Sequence, residues 1–288
     1  MRDFVIITDA GCDLSKEMVE ALGVKVAPMS LTMENKLYKH YHDYRELSEA
    51  DFYNKIRNGI VGTTAGTNIQ DAMDVMQEVL SQNKDILYIP FSSALSCSYQ
   101  SAFLAAEELR EEYPEAMINV VDSLSASVGL GMLVYLAAKK QMEGCSLKEV
   151  TQFVEDSKTH IFHSFMVDDL MYLQKTGRIS HLTAVAGTML NIKPVFKIDD
   201  SGKVANDGKV RGKNAGVKHL LNRLSEKCND ANTVFIGHVD AAEDAENLKN
   251  KVLEIHPKAN VIVNCLGPIL GNSLGPNALV IIFYGDNR

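Results

Sequence analysis

The chain has no hydrophobic run long enough to cross a bilayer, no cysteine framework and no surplus of positive charge. Its longest apolar stretch, around residues 130–138, contains Gly131 and Tyr135 and ends in Lys139-Lys140. A spanning helix needs roughly 20 apolar residues, so stable membrane insertion is not expected. The five cysteines (Cys12, Cys97, Cys145, Cys228, Cys265) are odd in number and scattered. They fit neither a disulfide framework nor a zinc spacing, which points to a reducing, cytoplasmic setting. A formal net charge of −8 without a basic stripe argues against a sequence-independent grip on nucleic acid. Met1-Arg2-Asp3 runs straight into a strand, so no signal peptide is expected. There is no Walker-type P-loop, no G-x-S-x-G elbow and no carboxylate cluster for magnesium. Neither an internal repeat nor a low-complexity linker divides the chain.

What is present is an ordinary globular composition: 288 residues, 46% hydrophobic and 23% charged. Residues 86–89 read as a buried strand that empties into Ser92-Ser93-Ala94-Leu95-Ser96. A helical pattern with Ala102, Leu104, Ala105 and Leu109 apolar follows. A strand feeding a helix through such a turn offers unpaired backbone N–H groups and hydroxyl donors, which suit a phosphate or carboxylate. Ser96 read alone is an N-cap. A second hydroxyl turn, Thr63-Thr64-Ala65-Gly66-Thr67, precedes another helix, with Thr67 and Gln70 spaced as a capping box. In a parallel α/β sheet such turns lie at the carboxyl ends of strands, so the two clusters are expected to converge on one anionic head group.

Strand and helix alternate through the first half. Residues 4–8 and 24–31 read as strands, Asp13 as the cap of a helix ending before Gly23, and Ser48 as the start of another closed by Gly59. Residues 33–47 read as a solvated loop, with His40 and His42 lacking the companions of a metal site. Ser123, Ser125 and Ser127 open a helix over 126–142 that is apolar nearly all round and therefore buried, with Gly129 and Gly131 explained by close packing. The rhythm changes after about residue 145. A Ser146/Glu149 capping box, a strand at 161–167, a short helix at 168–174, an apolar helix at 182–190 and a hairpin around Asp199-Asp200-Ser201-Gly202 follow. Two amphipathic helices and strands at 233–239, 261–264 and 278–284 close the chain. The expectation is an α/β protein of two domains: a parallel α/β domain over 1–150 and an α+β domain with a mixed or antiparallel sheet over 151–288.

The motifs, taken together, resemble those of the DegV family, fatty-acid-binding proteins that share a fold with part of dihydroxyacetone kinase. Ile7-Thr8-Asp9 with Asp13-Leu14 resembles ITDS-xxDL. The stretch from Ser92 to Ala102 resembles SSGLSGTYQSA, and that from Val121 to Gly131 resembles VIDSKSASMGLG. Leu173 to Ser180 resembles LKKGGRIS, and Leu190-Asn191-Ile192-Lys193-Pro194 matches LNIKP. The resemblance covers nearly the whole chain.

It implies one long-chain fatty acid, its carboxylate between the domains and its acyl chain in an apolar tunnel. A separate fatty acid kinase subunit would make the acyl phosphate, and the chain itself would not be an enzyme. Carried onto this sequence, the carboxylate-binding residues are Thr63, Thr64, Ser93, Ser96, Asn272 and Ser273, with Arg178 as gate or partner contact. His238 reads as structural. No cofactor and no metal are implied beyond the lipid. The sequence departs from the family where it usually reads T-S-Q-P-S after Thr63, where Cys97 replaces a glycine, and where Ser273 replaces the histidine of G-T-H-T-G-P-G. Asn272 and Ser273 offer neutral hydrogen bonds and no positive charge. Two alternatives stay open: a stand-alone lipid sensor or buffer, and a phosphotransferase related to dihydroxyacetone kinase.

Overall fold

The chain folds around two sheets that share one buried helix. The computed structural model describes residues 2–179, 191–228 and 231–286. The first sheet is wholly parallel, in the order Lys25–Ala27, Phe4–Asp9, Asp85–Ile89, Ile118–Val120. Its inner strand Asp85–Ile89 is buried along its whole length, as expected where helices cover both faces. The second sheet has six strands, in the order Val204–Arg211, Ile192–Ile198, Ile161–Met166, Leu279–Tyr284, Thr233–His238, Asn260–Cys265. Every neighbouring pair in it is antiparallel except the last, which is parallel. The protein is therefore a two-domain α/β molecule with one parallel and one mixed sheet.

The helix Ser127–Met142 is buried over most of its length and packs against strands of both sheets. Its glycines make this possible. A Cβ on Gly129 would stand 2.0 Å from His163 Nε2, and one on Gly131 would stand 2.5 Å from the Cys12 carbonyl oxygen. Close packing thus accounts for both glycines in a helix interior, where each weakens the helix by about 1 kcal/mol.

Several local expectations need correction. Residues 24–31 are not one strand, because Pro28, which has no N–H, separates Lys25–Ala27 from Met29–Met33. Nor is the segment after it a solvated loop. Lys36–His40 pairs antiparallel with Met29–Met33, and Thr63–Ala65 pairs on the other side, making a small third sheet. Glu34 and Asn35 both adopt positive φ, 49° and 62°, which gives the tight two-residue turn a twisted hairpin favours. His40 is buried on this hairpin.

The caps shift as well. Ser15, not Asp13, caps Lys16–Leu22, accepting from Met18 N at 3.3 Å. Asn68, not Thr67, caps Ile69–Leu80. The helix after the serine turn starts at Ser98 with Cys97 at its cap, and Ser96 Oγ accepts from Ser98 N at 3.2 Å. The Ser146/Glu149 capping box is present as expected. The stretch around Asn272 is a helix, Pro268–Leu274, opened by proline at its first turn and closed by Gly275 at φ 74°. The helix expected over 182–190 lies outside the described residues.

Candidate functional site

The turns that carry Thr64 and Ser96 touch because a glycine lets them approach. Along the strand Thr63–Ala65 alternate side chains face opposite ways, so Thr63 is exposed and Thr64 half-buried. At Gly66 a Cβ would stand 2.4 Å from Ser96 Oγ and 2.8 Å from Ser98 Oγ. Thr67 N donates to Ser98 Oγ at 3.0 Å, stitching the two turns together. Ser96 Oγ and Ser98 Oγ lie 3.0 Å apart.

Beneath the turn lies Asp9, fully buried at the end of the first strand. Its carboxylate accepts from Phe91 N at 2.8 Å and from the Tyr88 hydroxyl at 2.7 Å, and Thr67 Oγ1 lies 3.2 Å from it. Burial raises the Asp9 pKa against the pull of these donors. Asp9 thus fixes the start of the serine turn and the end of the threonine turn from one point.

Thr64, Gly66, Ser96, Arg178 and Ser273 line one narrow cavity of about 90 Å³. Met29, Phe91 and Leu95 form its wall on the parallel-sheet side. Phe165, Ile198, Ile269, Leu274 and Val280 form the wall on the mixed-sheet side. Among the described lining residues Arg178 alone carries a permanent charge.

Leu95, Ser96, Arg178 and Val204 also line an outer groove, so they form the passage from solvent to the chamber. Arg178 Nε donates to the Leu95 carbonyl at 3.3 Å, and its other end donates to the Thr176 carbonyl. The guanidinium thus bridges the loop after the helix Leu170–Lys175 to the serine turn. Ser92 Oγ ties the same turn to the hairpin by donating to the Gly202 carbonyl at 2.9 Å.

The remaining expected residues fall elsewhere. Thr63 and Ser93 do not line the chamber; Ser93 lines the outer groove. Asn272 is fully buried, and its amide is committed to the backbone of Gly62. Ser273 reaches the chamber while its hydroxyl donates to the Ile269 carbonyl at 3.0 Å. His238 lies away from the chamber and accepts from Ala241 N at 3.2 Å. The neighbouring Asp240 carboxylate is held bidentately by Arg57, both contacts at 2.5 Å, so it does not orient His238. Asp9, beneath the turns, and His163, which lines the chamber, were not expected at the site. Only Asp9, an acidic residue closing an apolar strand, carried a readable signal.

A half-open chamber between a parallel and a mixed sheet, with hydroxyls and one guanidinium at its entrance, defines a two-lobed α/β protein with a mainly apolar site. The chain belongs to the DegV family, whose family model, described as an uncharacterised protein of that family, matches residues 3–286. It is 37% identical over 290 residues to a DegV domain-containing protein of Clostridium perfringens, covering 100% of this chain and 99% of that one. Among solved structures it is similar to a DegV family protein from Thermus thermophilus described for fatty acid binding. That match has 28% identity and a TM-score of 0.88, covering 99% of this chain and 100% of the other. The fold is also that of the Streptococcus pneumoniae fatty acid kinase B3 protein loaded with linoleic acid. There the identity is 20% and the TM-score 0.84, covering 99% and 100% of the two chains.

Proposed function

We propose that this chain holds a single long-chain fatty acid and presents its carboxylate to a separate fatty acid kinase for acyl-phosphate formation. The observation that carries this reading is the chamber itself, apolar on both walls, with Thr64 in its lining and Ser96 and Arg178 where it opens. A carboxylate taken out of water needs hydrogen-bond donors or a cation, and these three supply both. The acyl chain needs only apolar surface, gaining roughly 0.8 kcal/mol per buried methylene. The fatty acids bound by the Thermus and Streptococcus proteins support the ligand class, and the kinase named for the latter supports the partner. On this reading the lobes comprise residues 1–150 and 151–288 and the protein works in the cytoplasm. Among the described residues no three His, Cys, Asp or Glu side chains are grouped to hold a metal.

A second reading, a lipid sensor or buffer without a kinase, rests on Ser273. Its hydroxyl is bonded within its own helix and offers no positive charge at the chamber. Addition of a fatty acid kinase and ATP to the loaded protein separates the two: acyl phosphate supports the carrier, and its absence supports the buffer. For the head-group site, Thr64→Ala combined with Ser96→Ala is expected to weaken retention of a fatty acid and leave the matching fatty alcohol nearly unaffected. Unchanged retention of the acid in that double variant would place the carboxylate elsewhere.

A further inference from the structure

Asn272 makes an unusual pair of contacts for a side chain. Its Oδ1 accepts from Gly62 N at 2.7 Å and its Nδ2 donates to the Gly62 carbonyl at 2.9 Å, across 210 residues. One amide thus satisfies both backbone polar groups of one residue, as a neighbouring strand would. The reason lies in the small sheet. Among the described residues Thr63–Ala65 is its edge strand, paired with Met29–Met33 on one side only. An edge carries unpaired N–H and C=O groups, and those of the part-buried Gly62, just before the strand, face the helix Pro268–Leu274, which carries Asn272.

Gly62 is also held from the opposite side. A Cβ there would stand 2.6 Å from the Thr32 carbonyl oxygen and 2.8 Å from Leu31 Cδ1. The backbone is therefore clamped between the sheet and Asn272. Two residues on stands Thr64, whose side chain lines the chamber. Beside Asn272 on the same helix stand Ser273, Ile269, Leu270 and Leu274, which line it from across.

We infer that Asn272 is a positioning residue: through its two-way clamp on Gly62 it sets where Thr64 stands against the opposite wall, and so tunes selectivity for a carboxylate head group. This rests on the fatty acid reading of the chamber. Asn272 touches no ligand in this account and acts through Thr64.

The test compares a saturated sixteen-carbon fatty acid with its alcohol on purified protein by displacement titration. Asn272→Asp keeps the size and the acceptor but sets a carboxylate against the Gly62 carbonyl. It is expected to weaken acid binding about tenfold, the effect of roughly one lost hydrogen bond, and to change alcohol binding far less. In a Thr64→Val background the same substitution is expected to lose most of its effect. Equal weakening of acid and alcohol, or an undiminished effect without the Thr64 hydroxyl, would make Asn272 merely structural and overturn the inference. If Asn272→Asp does not fold, Asn272→Ser takes its place in the same comparison with the same criteria. A parent protein that takes up no fatty acid would remove the reading of the chamber and this inference with it. A parent that binds normally beside an unaltered variant would remove this inference alone.

Discussion

The carboxylate of Asp13 accepts a hydrogen bond at 2.7 Å from the hydroxyl of Ser127, 114 residues away. Both residues hold positive φ, 51° and 56°, an uncommon conformation for non-glycine residues. The second oxygen of Asp13 accepts from Gly267 N at 2.9 Å, and its backbone carbonyl accepts from Asn264 at 2.8 Å. One side chain thus joins the start of the shared helix Ser127–Met142 to the start of the helix carrying Asn272 and Ser273.

That position makes Asp13 titrate unusually. Burial pushes its pKa up to about 7, while burial pushes that of nearby His40 down to about 4. A carboxyl raised in the folded state contributes stability below about pH 4 that is lost as pH rises to about 7. A histidine depressed in the folded state acts oppositely, its contribution being lost as pH falls from about 6.5 to about 4. The two slopes oppose each other over that window. Asp13→Asn is therefore expected to make stability climb more steeply with pH between about 4.5 and about 6.5 than in the parent, by up to about 1.4 kcal/mol per pH unit. His40→Gln is expected to tilt it the other way. Urea unfolding at three pH values across the window measures this, and parallel profiles for parent and variants would contradict it. Asp9, also raised by burial, is unchanged in both variants and drops out of the comparison.

Gly129→Ala tests the packing of the shared helix. Alanine favours a helix by about 1 kcal/mol over glycine, but here its Cβ would stand 2.0 Å from His163 Nε2. Overpacking costs typically about 1–3 kcal/mol, so the net expectation is a lower unfolding temperature. A rise would show that the mixed sheet yields freely to the helix.

Gly66→Ala tests the join of the two hydroxyl turns. Its Cβ would press on Ser96 Oγ and Ser98 Oγ, at 2.4 and 2.8 Å. The expected result is fatty acid binding weakened about tenfold or more, as one charge-assisted hydrogen bond is lost, with little change in unfolding temperature. Unaltered binding would mean that the two turns need not touch.

Arg178→Ala removes the cation from the passage. Fatty acid dissociation, followed by transfer to vesicles, is expected to quicken several-fold to about tenfold, and Arg178→Lys to recover part of the loss. Unchanged dissociation in Arg178→Ala would reduce the residue to a tie between Leu95 and Thr176.

Much of this architecture is legible in the sequence because buried parallel strands such as Asp85–Ile89 read as unbroken apolar runs. Hydroxyls at helix entrances likewise mark Thr64 and Ser96. The hairpin Met29–His40 hides because Glu34, Asn35, Lys36 and Lys39 mask an inward set of Leu31, Met33, Tyr38 and His40. Asn272 hides for a different reason. Its role is fixed by Gly62, and no local pattern records a partner 210 residues away. Gly66 is the same case on a smaller scale, a glycine demanded by Ser96 rather than by its own turn.

Native mass spectrometry of the purified protein, followed by solvent extraction and identification of what leaves it, tests the central claim most directly. The account predicts a one-to-one adduct whose released molecule is a long-chain fatty acid. A bare mass for the protein, with no uptake when fatty acids are supplied, would contradict it.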